Sequence, residues 1–251
     1  MNKNTHLKYL ALLLFAGSVA VAPAYGQSSG NSWQYSAGIN LWGAGVKGTT
    51  RNGTKIDVGL SDLLDNLDFT FMGMLEARKA RWSLLGDVVY LGLSADQGAT
   101  LPAGGGQVRG RFDVDVDGLV LNLLSGYNLS DTDDGRVDVY FGARYLDMDT
   151  NLALTIGDAS RGTAATGDIW DGVVGLRGRV NLKERWYLPY SVDIGAGQSD
   201  LTWQAIGGVA YKYNWGDLSF AYRHIEWELD ADSPISDINF SGPGIQAKWY
   251  F

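Results

Sequence analysis

The chain reads as all-β, an antiparallel up-and-down barrel of about ten strands that carries its apolar side chains outward. Three observations predict this. Apolar residues recur at every second position over many segments, tryptophans collect at the ends of those segments, and the connections alternate between short and long.

Composition narrows the possibilities first. Among 251 residues there are 34 Gly, 13 Tyr and 9 Trp, rich for a soluble domain of ordinary helix content, and no Cys. Without Cys there is no disulfide framework, thiolate metal site, Cys nucleophile or lipidated Cys. Lys and Arg total 20 against 28 Asp and Glu, a net charge of −8 that argues against a nucleic-acid partner. Residues 1–26 read as a secretory signal, with Lys3 and Lys8 flanking its start, an apolar run over 9–22 and small residues around Ala24 and Gly26. The run is shorter than the roughly 20 residues that a spanning helix needs. Residues 27–251 are then the barrel domain. Removing the signal takes Lys3, Lys8 and His6 with it, which moves the net charge to −10 and leaves His224 as the sole histidine.

In the first segment Trp33, Tyr35, Ala37, Ile39 and Leu41 share one face and Gln34, Ser36, Gly38 and Asn40 the other. In the second, Phe69, Phe71, Leu75 and Ala77 oppose Asp68, Thr70, Glu76 and Arg78. Later, Trp170, Val174, Leu176 and Val180 oppose Asp171, Arg177 and Arg179, and Trp186, Leu188, Tyr190, Val192 and Ile194 oppose Ser191 and Asp193. Strands are predicted over 32–46, 67–79, 81–95, 107–128, 136–151, 166–180, 185–198, 201–214, 217–230 and 238–251. An even count keeps both termini of a single-chain barrel on one side. Eight or twelve strands would follow if 107–128 bends or a weak strand lies outside the membrane. Turns at 79–81, 130–135, 181–184 and 214–217 are short. The stretches 47–66, 96–106 and 152–165 are longer, rich in Gly, Thr and Ala, and read as outer loops, the first with a helical turn capped by Ser61. The third segment is apolar on both faces, so a soluble sandwich or lipocalin-like periplasmic barrel is the alternative fold. The face chosen by the aromatics separates the two.

Eight tryptophans fall into two belts: Trp33, Trp82, Trp186, Trp215 and Trp249 toward the short turns, and Trp170, Trp203 and Trp227 toward the long loops. An indole suits the boundary between hydrocarbon and head groups. In the last segment Ile245, Ala247, Trp249 and Phe251 alternate outward while Gln246 and Lys248 face in. This ending resembles the C-terminal signal read by the barrel-assembly machinery of bacterial outer membranes. The mature chain is similar in architecture to small outer-membrane barrels of the outer membrane protein A transmembrane-domain and OmpW kind. That resemblance implies the outer membrane of a Gram-negative bacterium as the site, with its lipid and lipopolysaccharide as surroundings and the assembly machinery as a partner. It implies no active-site residue and no cofactor.

Alternation turns Glu76, Arg78, Asp87, Arg144, Asp171, Arg177, Arg179, Asp193, Lys212, Arg223 and Lys248 toward the lumen. Ions there must be paired or hydrated. They form either a salt-bridged plug or a narrow wet path for a small solute, and a barrel of this size is narrow enough for side chains to fill much of it. Asp113, Asp115 and Asp117 share one face, spaced roughly 7 Å apart as alternate strand residues are, too far to share one metal ion. They read as a lumen ladder paired with Arg109, Arg111 or Arg144. A lone histidine excludes a multi-His metal centre. By parity with Leu218, Phe220 and Tyr222, His224 faces lipid near the outer rim. A class of outer-membrane lipid hydrolases works from that wall, but the sequence marks no nucleophile beside His224, and no enzymatic role is expected. The expected function is structural or a narrow pore, with wall enzyme and loop-borne binding as alternatives.

Overall fold

The computed structural model describes residues 32–251 apart from 52, 54, 59–66, 104–105, 157–158 and 234. The expected signal at 1–26 and the helical turn after Ser61 lie outside the described residues. Among those described, twelve strands follow in order: β1 (Gln34–Trp42), β2 (Gly45–Thr50), β3 (Lys55–Val58), β4 (Leu67–Lys79), β5 (Trp82–Ala103), β6 (Gly106–Thr132), β7 (Gly135–Ile156), β8 (Ala159–Lys183), β9 (Trp186–Gly197), β10 (Ser199–Lys212), β11 (Asp217–Leu229) and β12 (Ile235–Tyr250). Ten of them, β1 and β4 through β12, pair antiparallel around a ring that closes where β1 meets β12. Closure gives each wall strand a partner on both sides, the arrangement by which strands survive where water cannot satisfy the backbone.

The short connections lie at one end, here the turn end. Ala80 and Glu184 open two-residue turns with φ of 52° and 48°, the sign that primed hairpin turns demand at that position. Gly216 closes the turn between β10 and β11 with φ of 153°, and a Cβ there would collide with the carbonyl oxygen of Lys248. At the opposite, loop end, the ladders run further than the sequence predicts. β5 and β6 stay paired to Ala103 and Gly106, and β7 and β8 to Ile156 and Ala159, so most of 96–106 and 152–165 is strand rather than loop. Once two strands are in register, each further pair adds backbone hydrogen bonds without needing a buried face, so Gly- and Thr-rich sequence extends a ladder that its composition does not announce.

Part of 47–66 is likewise a hairpin. β2 continues the line of β1 along β12, and β3 folds back on β2. At the break between β1 and β2 the N–H of Gly43 donates to the carbonyl oxygen of Pro243 at 2.9 Å. The backbones are so close that a Cβ on Gly242 would overlap the Gly43 oxygen. Gly242→Ala is therefore expected to cost on the order of 1–3 kcal/mol, read as a lower urea midpoint for the refolded barrel in detergent.

The two faces sort as a membrane requires. On β9, Trp186, Leu188, Val192 and Ile194 are exposed outward while Tyr187 and Asp193 are buried inside. Around the ring the exposed large side chains are apolar, whereas Glu76, Asp138, Arg144, Asp171 and Asp193 are buried. A water-soluble barrel sorts them the other way, so the soluble alternative fails. The outward apolar run on β9 spans nine residues, 186–194, close to the roughly 9–11 that a tilted strand needs to cross hydrocarbon. β5 is apolar on both faces for a local reason. Its Val89 joins Met72, Val120, Leu146, Ile225, Trp227 and Ile238 in an apolar layer inside the loop-end half of the barrel.

Candidate functional site

The interior is built from side chains that alternate inward from most of the wall. At mid-barrel Arg144 of β7 is 0% exposed. Its Nη2 donates to both oxygens of Asp193 at 2.8 and 2.9 Å, its Nε to Asn122 Oδ1 at 2.9 Å and its Nη1 to Thr202 Oγ1 at 3.0 Å. Asp193 Oδ2 also accepts from Tyr140 at 2.7 Å and from the Gln204 amide at 3.0 Å. The chain of contacts continues through Gln204 Oε1 to Arg223 Nε at 2.8 Å, from Arg223 Nη2 to Asp87 at 3.0 Å, and back from the Asn122 amide to Asp87 at 3.0 Å. Arg223 also lies over the Trp42 ring at 4.9 Å. Two arginines and two aspartates thus balance, and polar uncharged groups satisfy the remaining lone pairs. Only such saturation makes buried ion pairs tolerable.

A second cluster sits toward the turn end. Glu76 Oε1 accepts from Arg78 and Arg177, each at 2.8 Å, and Oε2 from Lys248 Nζ at 3.0 Å. Asp138 accepts from Arg78 at 2.9 Å, Arg136 at 2.9 Å and the Asn128 amide at 2.7 Å. Here four cations face two carboxylates. Eight of the predicted lumen charges, Glu76, Arg78, Asp87, Arg144, Arg177, Asp193, Arg223 and Lys248, enter these two clusters. Asp171 is inward but stands apart, accepting the Ser199 N–H at 2.9 Å. Arg179 lies 3.9 Å from Asp131, and Lys212 Nζ lies over the Tyr187 ring at 5.3 Å. Asp138, Arg136, Asn122, Tyr140 and Gln204 are members that sequence reading passes over. Their even or odd positions along β6, β7 and β10 are the signal that marks them.

Three placements differ from expectation. Asp117 shares the outward face of β6 with Leu119 and Leu123, where it accepts from Tyr90 at 2.7 Å, and Asp115 is exposed. The side chain of Asp113 lies outside the described residues. There is accordingly no such lumen ladder at Asp115 and Asp117, and Arg144 pairs with Asp193 instead. The parity of β6 is the reverse of the expected one, with Asn122, Leu124 and Asn128 as the inward set. Trp227 leaves the loop-end belt. It is 0% exposed, packed edge-on to Phe240 at 6.0 Å and 6.0 Å from the Arg144 guanidinium, because its odd position on β11 is that of Ile225 and Arg223. The remaining belt tryptophans do face out. Trp82 meets Tyr127 at 5.0 Å, Trp186 meets Tyr211 at 4.9 Å and Trp215 meets Trp249 at 5.8 Å near the turns. Trp33 stacks on Tyr35 there as well, and Trp170 meets Tyr145 at 4.5 Å toward the loops.

Outside, at the loop-end rim, His224 has company that the sequence conceals. Ser241 of β12 is its direct register partner, with Oγ 2.5 Å from Nδ1, and Glu226 Oε2 lies 3.1 Å from Nε2. Trp203 packs against the imidazole at 4.4 Å between centroids.

A closed ring of ten antiparallel strands, oily outside and ionic within, defines a transmembrane β-barrel. No protein-family model matches the chain, and no curated protein matches it in sequence. Among solved structures it is similar to the translocator domain of autotransporter NalP from Neisseria meningitidis, at 13% identity and a TM-score of 0.47, covering 99% of this chain and 96% of that one. It is also similar to Ail, the attachment invasion locus protein of Yersinia pestis, at 8% identity and a TM-score of 0.35, covering 87% and 99%. The toluene transporter TodX of Pseudomonas putida follows at 14% identity and 0.30, covering 87% and 89%. At such identities and scores the function has to be argued from the residues.

Proposed function

We propose that this barrel is a non-conducting outer-membrane protein of a Gram-negative bacterium whose lumen is a rivet rather than a path. The observation that carries the reading is Arg144, inaccessible at mid-barrel and saturated by Asp193, Asn122 and Thr202. An open aqueous path would hydrate such a guanidinium instead of enclosing it. The apolar layer around Trp227 and Ile225 stands above it and adds a dry barrier of the kind that stops ions by dewetting. In this reading the turn end and both termini face the periplasm, the tall hairpins of β5 to β8 stand outside, and residues 245–251 serve the assembly machinery during insertion. The surrounding partners are outer-membrane lipid and lipopolysaccharide, held at the belts of Trp33, Trp82, Trp186, Trp215 and Trp170. The test is a planar bilayer: purified barrel is expected to insert without discrete conductance steps. Regular steps from the unmodified protein would establish a narrow pore instead and overturn the reading.

A further inference from the structure

We propose that Ser241, His224 and Glu226 form a nucleophilic site on the outer wall of the barrel that cleaves acyl esters of membrane lipids. The three side chains share the outward face of the β11–β12 ladder, His224 directly opposite Ser241 and Glu226 two residues further along β11. Their polar atoms are in line: Ser241 Oγ to His224 Nδ1 at 2.5 Å, and His224 Nε2 to Glu226 Oε2 at 3.1 Å. In the tautomer with its hydrogen on Nε2, the imidazole donates that hydrogen to Glu226. That leaves Nδ1 bare, and the serine hydroxyl donates to it. This is the protonation state from which an imidazole takes a hydroxyl proton, with the acid holding the tautomer and offsetting the charge that develops. The Trp203 ring against the imidazole fixes its plane.

The depth of the site says what it would meet. Along β12 the outward residues from 243 to 251 include Ile245, Ala247, Trp249 and Phe251, a nine-residue crossing, and Ser241 is the next outward position. Along β11, Leu218, Phe220 and Tyr222 are exposed and apolar, His224 is next, and Glu226 and Glu228 lie beyond. Both strands therefore place the serine–histidine pair where the oily wall gives way to carboxylates, the level at which acyl chains join the head groups of a lipid. An ester carbonyl belongs at that level, its chain along Tyr222, Phe220 and Ile245. Water reaches the pair from the side of Glu226, whose side chain is 26% exposed.

In the step, Oγ bonds to the ester carbonyl carbon as its proton passes to Nδ1. The tetrahedral oxyanion collapses, the carbon–oxygen bond to the lipid alcohol breaks, and the imidazolium returns the proton to that alcohol. Water then repeats the sequence on the acyl-serine, releasing a fatty acid and restoring the hydroxyl. The Asn239 carboxamide lies beside the pair, its Oδ1 3.5 Å from Ser241 Oγ. Phospholipid and acylated glycolipid present the same ester, so the chemistry is shared and the source is a matter for measurement. Placing the site in the outer leaflet rests on the orientation proposed above. The chemistry itself does not depend on the lumen being closed.

The experiment uses the full mature barrel refolded in mixed micelles, one set with phosphatidylethanolamine and one with purified lipopolysaccharide, with released fatty acid followed by mass spectrometry. A fluorophosphonate probe is applied in parallel. Release from either lipid, lost at least about a hundredfold in S241A and H224A, together with labelling of Ser241 that H224A abolishes, is the expected result, and the productive arm names the source. E226Q should lower release less than H224A does. Folding of each variant is checked by its heat-dependent gel mobility, since outward-facing substitutions on the wall leave the interior clusters intact. Folded wild-type barrel that neither releases fatty acid from either lipid nor takes the probe overturns the proposal, as does release that persists unchanged in S241A. Conductance, which tests the lumen, is read separately, so either proposal can fail alone.

Discussion

Replacing Arg144 by alanine is expected to cost the barrel about 3–5 kcal/mol, the usual toll for stranding one member of a buried ion pair. Asp193 would keep the Tyr140 hydroxyl and the Gln204 amide but lose its only hydrogen-bonded cation among the described residues, while Asn122 and Thr202 would lose a donor each. Two relaxations compete. Either Asp193 takes up a proton, or water enters the gap and hydrates it. If the lumen is closed as proposed, the second would turn a silent barrel into a leaky one, so the same variant should show conductance steps in a planar bilayer together with a lowered urea midpoint in detergent. The double variant Arg144→Met with Asp193→Leu should recover most of the midpoint, because apolar replacement of both members of a buried pair is commonly neutral or stabilising. Recovery of silence as well would assign the seal to packing, whereas continued leakage would assign it to the ion pair. An unchanged midpoint in Arg144→Ala would mean that the network contributes nothing to holding the strands.

The second large effect is expected on the outside. Val192 is 50% exposed within the nine-residue apolar run on β9, two residues to the loop side of its centre. In water, an exposed valine can become arginine for within about 0.5 kcal/mol. At the midplane of a bilayer the same change costs about 2–4 kcal/mol. Unfolding titrations of Val192→Arg in phospholipid vesicles should therefore show a loss several times larger than a soluble protein would register. A loss below about 1 kcal/mol would mean that hydrocarbon does not cover this face. Because Val192 has no part in the interior clusters, its effect and that of Arg144 should add.

The barrel class, nearly all strand positions and the lipid-facing stripes were legible because an outward residue repeats every second position and hydrocarbon selects strongly at each. Leu75, Ile194 and Phe220 announce themselves in this way. Trp227 did not, since its residue type fits an interfacial belt and only its parity with Ile225 and Arg223 reveals that it points inward. Asp115 and Asp117 are misplaced for the opposite reason: alternation shows that they share a face but not which one, and β6 continues well past the length of one crossing, where the outer face meets water. Which charges meet was not legible at all. Arg144 and Asp193 lie on strands two apart in the ring, and their pairing depends on barrel diameter and stagger, which no single strand encodes. Ser241 was hidden likewise, since its meeting with His224 is a matter of ladder register across the β11–β12 hairpin and not of any local motif.

The join between the first and last strands carries a consequence for how the molecule is made. The Gln246 amide reaches Asn40 across 206 positions of sequence, and the rungs from β12 to β1 and β2 span similar separations, whereas the rest of the ring ties strands that follow one another along the chain. Hairpins can assemble early and locally, but this final rung must wait for the whole polypeptide. Until it forms, two raw borders of unsatisfied amides exist, which lipid cannot accommodate and which other unfinished chains could adopt as templates. Zipping shut is therefore expected to be coupled to entry into the bilayer, with the meeting of first and last strands as the late step.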